Sequence, residues 1–189
     1  AADALVNRSE FCKKVGVPYD QVVYQQIIYS DEQTYSKIAR VDGNHVSSIV
    51  PGVKADALFT TTPGVGLFLP VADCVATVFY DTRRKELALA HIGRHASYAK
   101  LANRVVEQFV ANGSNLSDVT VWMSPHAGKD SYKLEWFDRQ DDPDWSDFYT
   151  HKPDGFYLDM AGYNKALLVK SGINEANILR ITVGLIKVL

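Results

Sequence analysis

Two short apolar runs, ATVFY (residues 76–80) and ELALA (86–90), are joined only by the polar segment DTRRK. So short a link folds the chain straight back on itself, and the two runs pair as an antiparallel hairpin. Their near-continuous apolar character suits strands buried on both faces rather than on one. Strands this close in sequence leave no room for a regular βαβ alternation, so the fold class is α+β with mixed sheets.

The remaining elements fit around that hairpin. Leu5, Phe11, Cys12 and Val15 recur at helical spacing, and Gly16 is placed to end that helix in a left-handed cap. Cys12 then falls on the buried face as a small core hydrophobe. The segments QVVYQQIIY and YSKIARV are rich in β-branched and aromatic residues and read as strands. Asp42-Gly43, between ARV and HVSSIV, predicts a hairpin turn. GVGLFLPV (64–71) is a further buried strand.

A second helix is predicted after Gly93, with Tyr98, Leu101, Ala102, Val105, Val106 and Phe109 as its apolar stripe and Gly113 beyond its end. VTVWM (119–123) is a strand, and the acidic stretch from Asp138 to Asp154 a solvated loop. A third helix runs near Asp159 to Lys170, stopped by Gly172, and ILRITVGLIKVL (178–189) forms the last strand.

At 189 residues the chain suits one domain over residues 1–189. A net charge of −2 gives no basic face to release counterions from a nucleic-acid backbone, so no nucleic-acid partner is expected. No apolar run approaches the roughly 20 residues that span a bilayer, and the start lacks a signal-peptide pattern, so the expectation is a cytoplasmic protein without a membrane partner. Two cysteines in that compartment stay reduced.

The hairpin brings chemistry together. Cys74 immediately precedes its first strand and His91 ends its second, so both stand at the same end of the pair. A thiol beside an imidazole is either a soft metal-ligand pair or a nucleophile with its base; buried core packing is the bland alternative. The helix expected after Gly93 would offer its N-terminus to lower the thiol pKa or to hold an anion such as phosphate.

The segment ADALFTTTPGVGLFLPVADC followed by ALAHIG resembles the laccase-domain family, also called multicopper polyphenol oxidoreductase-like proteins. That family carries Ala-Asp-Ala-Leu-x-Thr, then Ala-Asp-Cys, then His-x-Gly. Asn7-Arg8 and the stretch DGFYLDMAGYNKALLVKSGINEANI add to the likeness, which spans most of the chain. The resemblance implies a four-layer α/β/β/α fold with mixed sheets, shared in outline with a bacterial toxin deamidase. It also implies a purine nucleoside phosphorylase acting on adenosine, inosine or guanosine and sometimes methylthioadenosine, with adenosine deamination as a second activity. Purine nucleoside and phosphate are the implied partners. The implied cofactor is zinc in preference to copper, held by two His and one Cys with an open position for water, as in catalytic zinc sites.

By that resemblance Cys74 and His91 match two of the three ligands. The third, a His in a Gln-x-His-Gly/Ser segment, has no counterpart: in QQIIYSDEQ either Tyr29 or Ile28 occupies its position, and no His precedes His45. A phenol is a far poorer zinc ligand than imidazole at neutral pH. Tyr29 therefore stands as the third catalytic position, with His95 and His126 as possible replacements. Arg94, His95 and His126 are the substrate or phosphate candidates, Arg94-His95-Ala96 replacing the family's Trp-Arg-Gly, and Asp73 either orients a ligand or caps its loop. His45 and His151 read as surface residues. The family's first strand and its Cys-Thr and Phe-Ser-x-Arg ending are also missing, the pattern of either a shortened chain or a degenerate relative.

Three functions follow: a zinc-dependent purine nucleoside phosphorylase, a catalytically silent member that binds a nucleoside or a protein partner, and a metal-free Cys-His hydrolase or deamidase.

Overall fold

The computed structural model describes residues 2–29 and 35–180. It forms an α+β fold of four layers. The central layer is a six-stranded mixed sheet of β2 (Ile38–Arg40), β4 (Ala57–Thr60), β6 (Val75–Asp81), β7 (Glu86–Ile92), β8 (Val119–Met123) and β12 (Ile178–Arg180), in the order β12-β8-β6-β7-β4-β2. The predicted hairpin is its middle: β6 and β7 pair antiparallel with Ala76 opposite His91 and Asp81 opposite Glu86. Alternate residues of β4 show that both faces of this sheet are covered. Ala57 and Phe59 join the core under the helices, whereas Leu58 packs with Val23, Val41, Val46 and Ala55 on the other side.

On the helical side lie α2 (Arg94–Tyr98), α3 (Leu101–Ala111) and α4 (Met160–Lys170), with Val105, Val106, Phe109 and Leu168 buried in one core with Val75 and Phe79 of β6 and Ala88 and Ala90 of β7. On the opposite side a small sheet of β1 (Val22–Gln26), β3 (Val53–Lys54) and β5 (Gly66–Phe68), in the order β3-β1-β5, forms the third layer. The outer helix α1 (Ala2–Lys14) covers it as the fourth, through Phe11 against Phe68 and Arg8 over the Tyr24 ring. A third sheet, β10 (Tyr149–Lys152), β11 (Gly155–Leu158) and β9 (Lys133–Leu134), flanks α4.

Several expectations are corrected. Asp42-Gly43 makes no hairpin: the Asp42 side chain accepts from the Asn44 N–H to cap a single 3-10 turn, and β2 instead pairs parallel with β4. An Asx cap satisfies the turn locally without bringing two strands together. GVGLFLPV yields only the three residues of β5, partly exposed at the edge of the small sheet.

The helix after Gly93 is two helices, because Lys100 takes a left-handed conformation (φ 50°) between them. The five-residue α2 is too short to build the N-terminal field expected of it. The acidic stretch is only partly solvated. Trp145 is buried and stacks on Tyr163 at 3.8 Å, and Tyr149–Lys152 is a strand. Of the last predicted strand, Ile178–Arg180 is present and residues 181–189 lie outside the described residues. Among the described residues no helix is long and apolar enough to cross a membrane.

Candidate functional site

Cys74 and His91 meet at one mouth of the central sheet. The loop before β6 turns sharply: Asp73 has a positive φ of 21°, and the Cys74 N–H folds back onto the Ala72 carbonyl. It is tied to the strand next door by Ala127 N–H to the Asp73 carbonyl (2.9 Å) and Ala76 N–H to Ser124 Oγ (3.0 Å). His91 is fixed by register. Because Ala57 lies opposite Ala90 in the β4–β7 pair, Asp56 falls beside His91 and accepts its backbone N–H at 2.8 Å.

The Asp56 carboxylate also accepts from the ring: Oδ1 lies 3.2 Å from His91 Nδ1, with both side chains buried. That bond leaves Nε2 facing the sulfur. Gly93 confirms how closely the two approach, since a Cβ there would sit 3.1 Å from His91 Cε1, 3.4 Å from Nε2 and 3.2 Å from Cys74 Sγ. Burial pulls the imidazole pKa down, but hydrogen bonds to Asp56 and Cys74 outweigh it and push the value up from 6.5 to about 9. The ring is therefore a cation at neutral pH, between a carboxylate and a thiol.

A cavity of about 220 Å³ opens over this line, walled by Tyr29, Tyr35, Tyr132, Arg94 and His95. Tyr29 is 72% exposed at the rim, its ring edge-on to His91 at 6.1 Å between centroids. Burial, then the charges of Cys74, Asp56 and Tyr35, raise its phenol pKa. Arg94 and His95 enter on α2, which is anchored by Ser97 Oγ donating to the Gly93 carbonyl and Asn164 Nδ2 donating to Ser97 Oγ, both at 2.8 Å.

The other candidates lie elsewhere or serve other partners. His95 is exposed and packs between Tyr35 (4.4 Å) and Tyr98 rather than turning to His91. His126 does not line the cavity; its Nδ1 meets the Ser124 carbonyl at 2.6 Å and its Nε2 faces Arg180. Asp73 contributes its carbonyl to the loop, and the carboxylate that orients His91 is Asp56. His45 bonds Asp42 in its turn and His151 stacks on Phe156 at the surface.

Asp56 is the residue of this candidate site that sequence reasoning missed, although it stands inside the quoted ADALFT segment. Its signal was a lone acid among apolar residues leading into a strand, which is costly to bury without a partner. Tyr35 and Tyr132 carried no comparable mark.

The sequence matches the family model described as multi-copper polyphenol oxidoreductase laccase over residues 1–184. The chain belongs to that family. It is 29% identical over 128 residues, 68% of its length, to a purine nucleoside phosphorylase of Corynebacterium glutamicum, of which it covers 50%. It is 24% identical over 181 residues to adenosine deaminase RL5 from an unknown prokaryotic organism, covering 91% of this chain and 68% of that one. Bacillus licheniformis hypothetical protein YfiH superposes with a TM-score of 0.79 at 24% identity, over 94% of this chain and 69% of its own. YlmD from Geobacillus stearothermophilus gives 0.79 at 23%, over 93% and 68%. Those two show the shared fold. The chain spans about half the length of several curated relatives it matches.

The zinc that the resemblance implies meets an incomplete donor set. Among the described residues no group of three His, Cys, Asp or Glu side chains could hold a metal ion. Cys74 and His91 supply two donors; the Asp56 oxygen near them is committed to Nδ1, on the far side of the ring from the sulfur. Tyr29, whose pKa is raised further above a phenol's ordinary value, is no substitute for the missing imidazole. The described residues do not fit a three-ligand zinc centre.

Proposed function

We propose that the chain is a purine nucleoside phosphorylase working in the cavity around Cys74 and His91. The observation that carries this reading is an imidazole held by a buried carboxylate at the base of a tyrosine-walled cavity, in a chain whose relatives bear that name. Tyr29, Tyr35 and Tyr132 supply aromatic surface for a purine or its ribose. Arg94 supplies the cation for phosphate.

In the step proposed, a phosphate oxygen forms a bond to the anomeric carbon as the bond to the purine nitrogen breaks. The electron pair leaves with the base, which takes a proton from His91 Nε2, while Asp56 retains the ring's orientation through Nδ1. No part of this step passes through a metal, because the described donor set is incomplete.

The test is hypoxanthine release from inosine by the purified protein, with and without phosphate. Release that requires phosphate, and falls by about 10²-fold or more in His91→Gln, supports the proposal. Hypoxanthine released equally without phosphate, or none released at all, sinks it. The same incomplete donor set favours one other reading, a member that binds nucleosides without turning them over. Thermal stabilisation by inosine with no product after long incubation would select it.

A further inference from the structure

We infer that the hollow beyond the Tyr35–His95 wall is the base subsite of this cavity, and that Asp138 and Arg139 there select 6-oxopurines, the bases of inosine and guanosine, over the 6-aminopurine of adenosine. The inference rests on the proposed purine chemistry for its class of ligand, and its test reads base binding apart from turnover.

Three observations converge. The first is room. The cavity over Cys74 and His91 holds about 220 Å³, below the roughly 300–1,000 Å³ of small-molecule sites, and a nucleoside must share it with phosphate. A second hollow of about 410 Å³ adjoins it across Tyr35 and His95, which line both. Together the two fall inside that range.

The second is a platform. Tyr35, His95 and Tyr98 follow one another along this hollow with ring centroids 4.4 Å and 6.2 Å apart, and the Arg139 guanidinium lies over the Tyr98 ring at 5.2 Å. Aromatic and guanidinium planes are surfaces on which a flat base stacks, whatever its edge carries. His95, which does not turn to His91, thereby gains a place in the site.

The third is the edge. Asp138 and Arg139 adjoin in the chain and line the same hollow. The Tyr98 hydroxyl donates to Asp138 Oδ1 at 2.7 Å, which leaves acceptor capacity on the carboxylate. Burial raises the Asp138 pKa, but the Tyr98 bond and the charges of Arg94 and Arg139 outweigh it and hold the group below its ordinary value. At neutral pH the carboxylate only accepts and the guanidinium only donates. A 6-oxopurine offers an N1–H donor beside an O6 acceptor and satisfies both. Adenine offers a bare N1 beside an amino group, which sets a lone pair against the carboxylate and a donor against the guanidinium. Polar sites discriminate by leaving such groups unpaired with the wrong ligand. With that edge in the hollow, the other ring of the base points back toward His91.

The test uses the full chain and free bases, titrated by calorimetry without phosphate. Hypoxanthine is expected to bind at least about tenfold tighter than adenine. Asp138→Asn, which keeps an acceptor for the Tyr98 hydroxyl, should bring the two within about threefold. Arg139→Ala should weaken hypoxanthine by about fivefold or more while leaving adenine within about twofold. His95→Ala removes part of the platform and should weaken both bases alike, by about fivefold. The ratio of kcat/KM for inosine to that for adenosine, measured with phosphate, should move with the same variants. Asp138 and Arg139 are both exposed, and each variant's thermal transition reports its folding. Should one lose that transition, the other carries the comparison.

Equal affinity of the parent for the two bases, tighter binding of adenine, or no binding of either overturns the subsite. So does a folded Asp138→Asn or Arg139→Ala protein that keeps the parent's ratio. Inosine turnover whose selectivity these variants leave unmoved breaks the subsite alone. The expected binding pattern without turnover breaks only the phosphorolysis proposal.

Discussion

The two outer helical layers began from the same sequence signal and ended differently. In α3, Leu101, Ala102, Val105, Val106 and Phe109 are all buried to within 2% exposure; among the described side chains of α1 only Cys12 is, and Leu5, Val6 and Phe11 are each more than half exposed, as is Val15 just past its end. Helical periodicity states which face could be covered. Whether a surface exists to cover it depends on the layer beneath. Beneath α3 lies the six-stranded sheet, wide and apolar; beneath α1 lies a three-stranded sheet whose β5 is itself part-exposed. The outer helix is held by point contacts, chiefly Arg8 on Tyr24 (4.1 Å over the ring) and Phe11 edge-on to Phe68 (5.9 Å).

The contrast can be broken by denaturation. Phe109→Ala is expected to cost about 3–5 kcal/mol, because the ring is fully buried between Phe59 and Phe79 and leaves a cavity. A loss under 1 kcal/mol in urea unfolding would show that the helical side is as loosely packed as α1.

The site between these layers supplies a pH-dependent effect. His91 binds its proton more tightly folded (pKa about 9) than unfolded (6.5), so its stabilisation is complete below pH 6.5 and is lost as pH rises through 9. His91→Gln should flatten that segment of the stability–pH curve while leaving the acid limb intact. Identical curves for both proteins would remove the charged pair from the account.

Smaller still is the cap of α4, where Asp159 accepts the Gly162 N–H at 2.8 Å. Asp159→Ala should cost about 1 kcal/mol, with its contact to Arg180 adding little at 3.5 Å. At the bottom of the range, Phe11→Ala on the exposed helix should shift the unfolding midpoint by less than about 1 kcal/mol. A loss as large as that of Phe109→Ala would show that α1 is a structural layer equal to α3.

Legibility followed the same division. The β6–β7 hairpin was readable because its link is local, and so were the helix stops at Gly16 and Gly172, both in left-handed conformations (φ 76° and 98°). The convergence of Cys74 and His91 followed from that hairpin. Asp56 did not, since it reaches His91 only through the β4–β7 register across 35 positions. Trp145 failed for a related reason: its neighbours are acidic, and only the stacking partner Tyr163 reveals a buried position within a charged stretch.

By itself the sequence determined the family, the central hairpin and the thiol–imidazole pair, because these rest on short-range order along the chain. Tertiary structure alone decided which carboxylate holds the imidazole, which tyrosines wall the cavity and which helix is covered. Each of these depends on strand register or on the width of a neighbouring layer, and a one-dimensional pattern contains neither.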